Sequence, residues 1–268
     1  MKHRIDWSGE SLAVALGVVS GALMLRDALL GVTRRLRRHP LAEAFFFASG
    51  ERKLAATFVQ AEPGAPVMLL CHGIGEMVEH WSAAQALLRD RGIGSMVFNY
   101  SGYGRSTGRV HQENCDADFI AAYAELRRRI GNELQVFVLG FSLGSGIAAQ
   151  GVAFLHPPVA GLFLCEAFDS FHEAACAAGL PRWIVQRVPD IWKTAAIIPQ
   201  LQMPVCVVHS TGDRLFPLAM PQRIVAASNG AAELVVINDL AHNEPFLKAV
   251  ERYWEPIVQR VLSVRVIT

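Results

Sequence analysis

The chain has no Cys-x-x-Cys pair, and its cysteines, Cys71, Cys115, Cys165, Cys176 and Cys206, are five, an odd number. Without paired spacing there is no sign of zinc ligation or of a redox motif. Cys71, Cys165 and Cys206 lie in apolar runs that read as buried strands, so reduced core thiols in a cytoplasmic setting are expected. Charge is scarce too. Charged residues make up 18% and the net charge is +1, which removes any global electrostatic case for a nucleic-acid partner. There is no internal repeat and no low-complexity tract. What abounds is apolar: 52% of 268 residues, enough for one large α/β domain with a substantial core.

The longest uncharged stretch is N-terminal. Ser11 to Leu25 carries no charge. At ~1.5 Å per residue it covers about 22 Å, short of the ~30 Å hydrocarbon core. Extended through Arg26-Asp27 to Val32, it becomes long enough to span if that pair sits near an interface. Arg34-Arg35-Leu36-Arg37-Arg38 follows, whereas Lys2 and Arg4 upstream are partly offset by Asp6 and Glu10. The asymmetry places the C-terminal side in the cytoplasm, and the basic cluster favours an anionic surface. A membrane anchor in residues 1–40 is the preferred expectation. A signal peptide ending near Ser20-Gly21-Ala22 and a core-covering or amphipathic helix that never enters lipid are the alternatives. Gly17 and Gly21 form a G-x-x-x-G, a weak pointer to helix pairing.

Residues 41–268 read as a single catalytic-type domain. Phe45-Phe46-Phe47 and Leu54 to Val59 flank Ser49-Gly50-Glu51 as a hairpin, and Pro63-Gly64-Ala65-Pro66 is a turn before the strand Val67 to Cys71. Strands are expected at Ser95 to Tyr100, Leu134 to Leu139, Val159 to Cys165, Val205 to Ser210 and Leu234 to Ile237. Helices are expected at Trp81 to Arg91, at Asp116 to Ile130 with Glu125, Arg127, Arg128 and Arg129 on one charged face, and at Pro245 to Val264. Short strands alternating with longer helical stretches imply βαβ units and a mostly parallel sheet covered on both faces.

Within this pattern, Gly140-Phe141-Ser142-Leu143-Gly144 spells G-x-S-x-G between a strand and a small-residue helix. That context describes a nucleophile elbow: a tight turn exposes the serine Oγ, and glycines avoid collisions with neighbouring strand and helix. A serine hydroxyl needs a base, an orienting carboxylate and oxyanion donors. Asp213 follows the strand Val205 to Ser210, 71 residues after Ser142, and His242 follows the strand Leu234 to Ile237, 29 residues further on. This is the Ser, Asp, His order of an elbow enzyme. Asp239, on the same loop as His242, is the rival acid and ranks as a turn residue. The amide of Leu143 and that of Ile74, in the loop His72-Gly73-Ile74-Gly75, are the expected oxyanion donors. His72 reads as a structural hydrogen-bonder in that loop. No metal or cofactor is called for.

These residues carry a resemblance. From about Phe45 onward the chain resembles the α/β-hydrolase superfamily. His72-Gly73-Ile74-Gly75-Glu76 resembles the H-G-x-G-E entry of monoacylglycerol lipases and related serine-aminopeptidase-type hydrolases. Asn99-Tyr100-Ser101-Gly102-Tyr103-Gly104-Arg105-Ser106 is similar to their D-x-R-G-x-G-x-S segment, and His209 to Pro217 to their H-G-x-x-D-x-x-x-P acid loop. Asn99, Ser101 and Ser210 depart from the usual Asp, Arg and Gly, off the catalytic positions. An N-terminal anchor on a compact domain is similar to membrane-anchored depalmitoylating thioesterases. The resemblance implies a mostly parallel eight-stranded sheet flanked by helices, with a small cap between the sixth and seventh strands, here about Glu166 to Met203.

That insert holds Phe168, Phe171, Leu180, Trp183, Ile184, Ile191 and Trp192, as a small apolar cap or acyl-binding wall, as packing for a helix on the sheet, or with some residues in both roles. A small cap favours acyl esters or thioesters, lipid or acylated protein included, presented at a membrane. No negative subsite for a peptide N-terminus is evident. A serine esterase, lipase or thioesterase is the leading expectation. A hydrolase-fold binding protein without turnover and an acyltransferase are the rivals, and neither oligomeric state nor head group follows from the sequence.

Overall fold

The computed structural model describes residues 41–264. The anchor, signal-peptide and G-x-x-x-G expectations fall on residues 1–40, outside the described residues. No helix among the described residues is long and apolar enough to cross a membrane.

Eight strands form one sheet in the order β1-β2-β4-β3-β5-β6-β7-β8. They are β1 Glu43–Ser49, β2 Arg52–Val59, β3 Val67–Cys71, β4 Gly94–Phe98, β5 Val136–Phe141, β6 Gly161–Cys165, β7 Val205–Ser210 and β8 Ala232–Ile237. β1 and β2 make the expected hairpin, Phe47 opposite Leu54. β2 runs antiparallel to β4, and every later pair is parallel. The strands β3 to β7 are buried along their whole length. That is the signature of a parallel sheet with helices on both faces. Alternate residues serve opposite cores. Leu69, Val138, Leu164 and Val207 face the cluster that includes Phe119 and Ile147, from the helices α2 (Gln112–Ile130) and α3 (Leu143–Gly151). Leu70, Leu139, Phe163 and Val208 face Leu88 of α1 (Ser82–Asp90) and Trp254 of the closing helix.

The insert between β6 and β7 folds as short helices α4 (Phe171–Ala177), α5 (Arg182–Val185) and α6 (Thr194–Ile197); α7 (Ala219–Ala227) then leads to β8. Trp192 is buried and donates from Nε1 to Asp116 Oδ1 of α2 at 2.8 Å, which ties the base of the cap to the body.

Two expectations need correction. The closing helix is broken into α8 (Glu244–Leu247) and α9 (Glu251–Ser263). Ala249, with φ 46°, turns the chain between them, so that α8 can seat Phe246 in the core beside Trp81, at a ring separation of 4.7 Å. Arg127 does not join the exposed charges of α2. It is buried, and its guanidinium donates to Leu134 O at 2.7 Å and to Tyr123 Oη at 2.9 Å. Satisfying a buried carbonyl there outweighs solvation of the side chain. The thiols of Cys71, Cys115, Cys165 and Cys206 are buried and free, and burial pushes each of them up, Cys206 to about 12.

Candidate active site

The C-terminal ends of β3, β5, β6, β7 and β8 lie along one edge of the sheet, where open α/β folds gather their functional loops. Cys71 is level with Gly140, Phe141 with Cys165, and Cys165 with Val208. The residue that follows each strand therefore opens onto the same crevice.

Ser142 stands between β5 and α3 with φ 52° and ψ −117°. A non-glycine residue in that region is strained and persists only where its surroundings hold it. Here the hold is tight. Ser142 N donates to Cys165 O at 3.0 Å, and Ser145 donates to Ser142 O from both its amide, at 2.9 Å, and its hydroxyl, at 2.6 Å. The glycines on either side leave no room for a side chain. A Cβ at Gly140 would stand 2.4 Å from Gly144 O, and one at Gly144 only 2.1 Å from Cys71 O.

The three residues expected from the sequence meet. His242 Nε2 lies 3.0 Å from Ser142 Oγ, and His242 Nδ1 lies 2.7 Å from Asp213 Oδ2. Asp213 Oδ1 accepts the amides of Leu215 at 2.7 Å and Phe216 at 3.1 Å. Burial works against the charge of Asp213, but the hydrogen bond and charge of His242 outweigh it, and the carboxyl is held below the ordinary carboxylate range. With Nδ1–H committed to the carboxylate, Nε2 keeps a lone pair for the serine proton. Asp239 has φ 55°, which fits its reading as a turn residue. Its amide is held by Thr211 Oγ1 at 3.1 Å.

The loop after β3 is stiff. Glu76 Oε2 accepts the Gly73 amide at 2.9 Å and the Trp81 indole N–H at 3.1 Å. Gly75 takes φ 76°, and Ile74 lines the same pocket as Ser142 and Leu143. The Leu143 amide opens α3 and so has no acceptor within the helix. His72 is the structural hydrogen-bonder it was expected to be. It is fully buried, its Nδ1 donates to Gly73 O at 2.8 Å, and its ring packs on Tyr100 and Tyr103.

Above Ser142 the insert forms an apolar pocket, with Phe168, Phe171, Ala174, Leu180, Ile184 and Val188 among its lining and Phe216 opposite. Ser142 is the single polar residue in that lining among the described residues. The insert contributes both to this pocket and to the core. Phe168, Phe171, Leu180 and Ile184 line the pocket, while Ile191 and Trp192 pack in the core. Trp183 does neither: it is 63% exposed, with the Arg187 guanidinium over its ring at 5.1 Å.

Sequence reasoning missed Glu166 and Ser210. Glu166 sits at the end of β6 with φ 45° and is fully buried. Its Oε1 accepts the Ser210 amide at 3.0 Å. The one available signal was a lone acid inside the apolar run Leu162 to Phe168. Ser210 lies off the catalytic positions, and its hydroxyl contacts Leu240, two residues before His242. Glu166, Asp213 and His242 offer ligand atoms within 4.8 Å of one another. Within this cluster His242 is already engaged with Ser142 and Asp213.

The chain resembles known proteins over this same region. The family model described as alpha/beta hydrolase fold matches residues 66–192. An uncharacterized protein of Mycobacterium tuberculosis is 28% identical over 187 residues, which cover 68% of this chain and 64% of that protein. The chain thus spans less than two thirds of that relative's length. Human alpha/beta hydrolase domain-containing protein 17B is 26% identical over 211 residues, 72% of this chain and 66% of the relative. Among solved structures, the esterase EaEST from Exiguobacterium antarcticum superposes with a TM-score of 0.65 at 17% identity, covering 82% of this chain and all of that one.

Proposed function

Starting from a chain that belongs to the α/β-hydrolase superfamily, we propose that it is a serine hydrolase for carboxylic ester or thioester bonds of apolar acyl substrates. One observation carries the reading: a single imidazole bridges Ser142 Oγ and the Asp213 carboxylate at the floor of an apolar pocket.

In this reading Ser142 Oγ attacks the acyl carbonyl carbon while His242 Nε2 takes its proton. Asp213 holds the ring and offsets the imidazolium charge. The carbonyl oxygen becomes an oxyanion held by the amides of Leu143 and Ile74; one such donor is worth ~3 kcal/mol in the transition state. His242 then protonates the departing alcohol or thiol, leaving Ser142 acylated. Water enters, gives a proton to His242 and attacks the acyl carbon; the bond to Ser142 Oγ breaks, His242 returns the proton to that oxygen, and the acid is released. The pocket wall favours an uncharged acyl tail, because a carboxylate or ammonium there would lose its hydration without a partner.

The proposal extends to the location of the substrate. Residues 1–40 carry an apolar run and a basic flank suited to a membrane anchor with the domain on the cytoplasmic side. Trp183 is exposed on α5, whose Ile184 and Val185 line the pocket, and an exposed indole beside arginine suits a bilayer interface. Fractionation of the full chain against one starting at Pro40 tests the anchor. Recovery of the full chain without membranes overturns it.

The test of the activity is intact mass after a fluorophosphonate probe, on wild type and Ser142→Ala, with turnover of short- and long-chain p-nitrophenyl esters and an acyl thioester. One adduct that disappears in Ser142→Ala, together with turnover, is expected. A folded wild type with no adduct rejects the proposal in favour of a binding protein.

A further inference from the structure

A second imidazole lies under the acid loop, and no step above uses it. His209 is fully buried near the end of β7, a strand otherwise apolar up to that point. Burying a polar ring there is costly unless its nitrogens are bonded. His209 Nε2 lies 3.1 Å from Phe216 O. A carbonyl oxygen only accepts, so Nε2 carries a hydrogen and donates it. In a neutral imidazole Nδ1 is then a bare acceptor. Nδ1 faces Glu166 Oε2 at 3.1 Å and has no other partner among the described residues. Two lone pairs would repel at that distance, so a proton lies between them.

Phe216, which His209 holds by its carbonyl, touches the acid, the base and the pocket. Its amide donates to Asp213 Oδ1 at 3.1 Å. Its ring stands edge-on to that of His242, with centroids 5.2 Å apart at 88°. The same residue lines the apolar pocket over Ser142. We propose that His209 is a positioning residue for Asp213 and His242: kept by Glu166 in the neutral form with its hydrogen on Nε2, it grips the Phe216 carbonyl and so fixes Phe216 against both. This inference rests on the serine hydrolase reading above.

The groups around the pair agree. Glu166 is aimed by β7 itself, because its Oε1 accepts the Ser210 amide at 3.0 Å. From α9, the buried Tyr253 hydroxyl donates to Val208 O at 3.2 Å. From the loops, Asp213 and His242 offer atoms within 4.8 Å of the Glu166 carboxyl. Burial, with the charge of Asp213, pushes Glu166 well above the usual carboxylate range, and burial pushes His209 down. Both shifts put the shared proton on Glu166 and leave His209 neutral. An uncharged pair also avoids the desolvation penalty of a buried ion pair.

NMR of the full chain with nitrogen-15 in its histidines tests the pair, and kinetics tests the positioning. In wild type at neutral pH, the His209 signals, assigned by their loss in His209→Gln, should show hydrogen on Nε2 and none on Nδ1. Hydrogen on Nδ1, alone or together with Nε2, overturns the proposal. Glu166→Gln offers an N–H to Nδ1 and a carbonyl to Ser210, so the hydrogen should stay on Nε2; its transfer to Nδ1 counts against the pair. His209→Leu removes the donor to Phe216. Its kcat for p-nitrophenyl acetate should fall ~10- to 100-fold with KM little changed, the scale on which small misplacements act. The downfield proton signal of the His242–Asp213 hydrogen bond should broaden with it. His209→Gln, whose amide N–H reaches as far as Nε2, should recover most of the kcat and sharpen that signal. A folded His209→Leu with wild-type kcat overturns the proposal, as does a His209→Gln no better than His209→Leu. Should His209→Leu not fold, His209→Met, unbranched and equally without a donor, takes its place. If wild type shows neither turnover nor adduct, the hydrolase reading has failed, while the histidine signals still report on the contacts from Glu166 to Asp213.

Discussion

Ser210 and Leu240 exchange two hydrogen bonds across the candidate site. The Ser210 hydroxyl donates to Leu240 O at 2.9 Å and accepts Leu240 N–H at 2.8 Å. Ser210 ends the strand that delivers Asp213, and Leu240 lies on the loop that delivers His242. One hydroxyl therefore ties together the two segments that carry Asp213 and His242. It also accepts the Gly212 amide at 3.2 Å, so all its capacity is used. In Ser210→Ala, the buried Leu240 N–H and C=O lose their partner. The expected cost is ~1–3 kcal/mol in stability, read as a lower midpoint in urea, with a severalfold lower kcat.

The elbow tolerates less. A methyl at Gly144 would meet the carbonyl of Cys71, at the end of β3, at 2.1 Å. Neither partner can yield, because the Cys71 carbonyl belongs to a central strand and the Gly144 backbone to the first turn of α3. Gly144→Ala should therefore fail to give soluble folded protein or lose all probe labelling. Gly230→Ala serves as comparison: it has open space around it and a positive φ of 87°, so it should cost only ~1–2 kcal/mol of backbone strain. Circular dichroism and probe labelling of the two variants decide.

If the pocket over Ser142 takes the acyl chain, filling it should shorten the chain that fits. Ala174 is buried in the pocket lining on α4. Ala174→Phe places a ring where the distal carbons would lie. The expected result is a drop of ~10-fold or more in kcat/KM for a long-chain p-nitrophenyl ester, since each buried methylene is worth ~0.8 kcal/mol. Acetyl ester turnover should change little. Equal losses for both esters would place the acyl chain elsewhere.

Ser142, Asp213 and His242 were legible because each belongs to a short local pattern just past a strand, and strand ends are readable from apolar runs bounded by glycine and proline. The sheet was legible for the same reason, from Val67 to Cys71 through Val205 to Ser210. Glu166 was not, because its meaning depends on Ser210, 44 residues away, and on His209. Both become neighbours only once β6 and β7 pair. The break at Ala249 was hidden because no glycine marks the left-handed turn there. Arg127 looked like another surface charge until the chain after α2 folded back to present the Leu134 carbonyl. Local chemistry thus announces itself in sequence, whereas residues that work by supporting others across the sheet do not.

His72 supplies a pH test that is independent of turnover. Burial, with a smaller push from His80, lowers its pKa from 6.5 to about 4, against the opposing hydrogen bond to Gly73. In the unfolded chain the imidazole takes up a proton near pH 6.5; in the folded chain it resists until about 4. Between those values the unfolded state binds more protons, so folding stability rises with pH and is lost as pH falls. The contribution is complete above pH 6.5. From pH 7 to 5 this one group should remove ~2 kcal/mol of stability, at ~1.4 kcal/mol per unit. His209, also lowered, acts in the same direction, and Glu166, raised, acts against them, whereas Asp213, lowered from 3.8, is ionised in both states throughout this interval. Urea unfolding of wild type at pH 7 and pH 5 therefore mixes three groups, but His72→Asn removes only one of them. The variant should lose ~2 kcal/mol less than wild type over the same interval. An identical pH dependence in the two proteins would mean that the imidazole under the Ile74 loop is reached by water and titrates as it does in the unfolded chain.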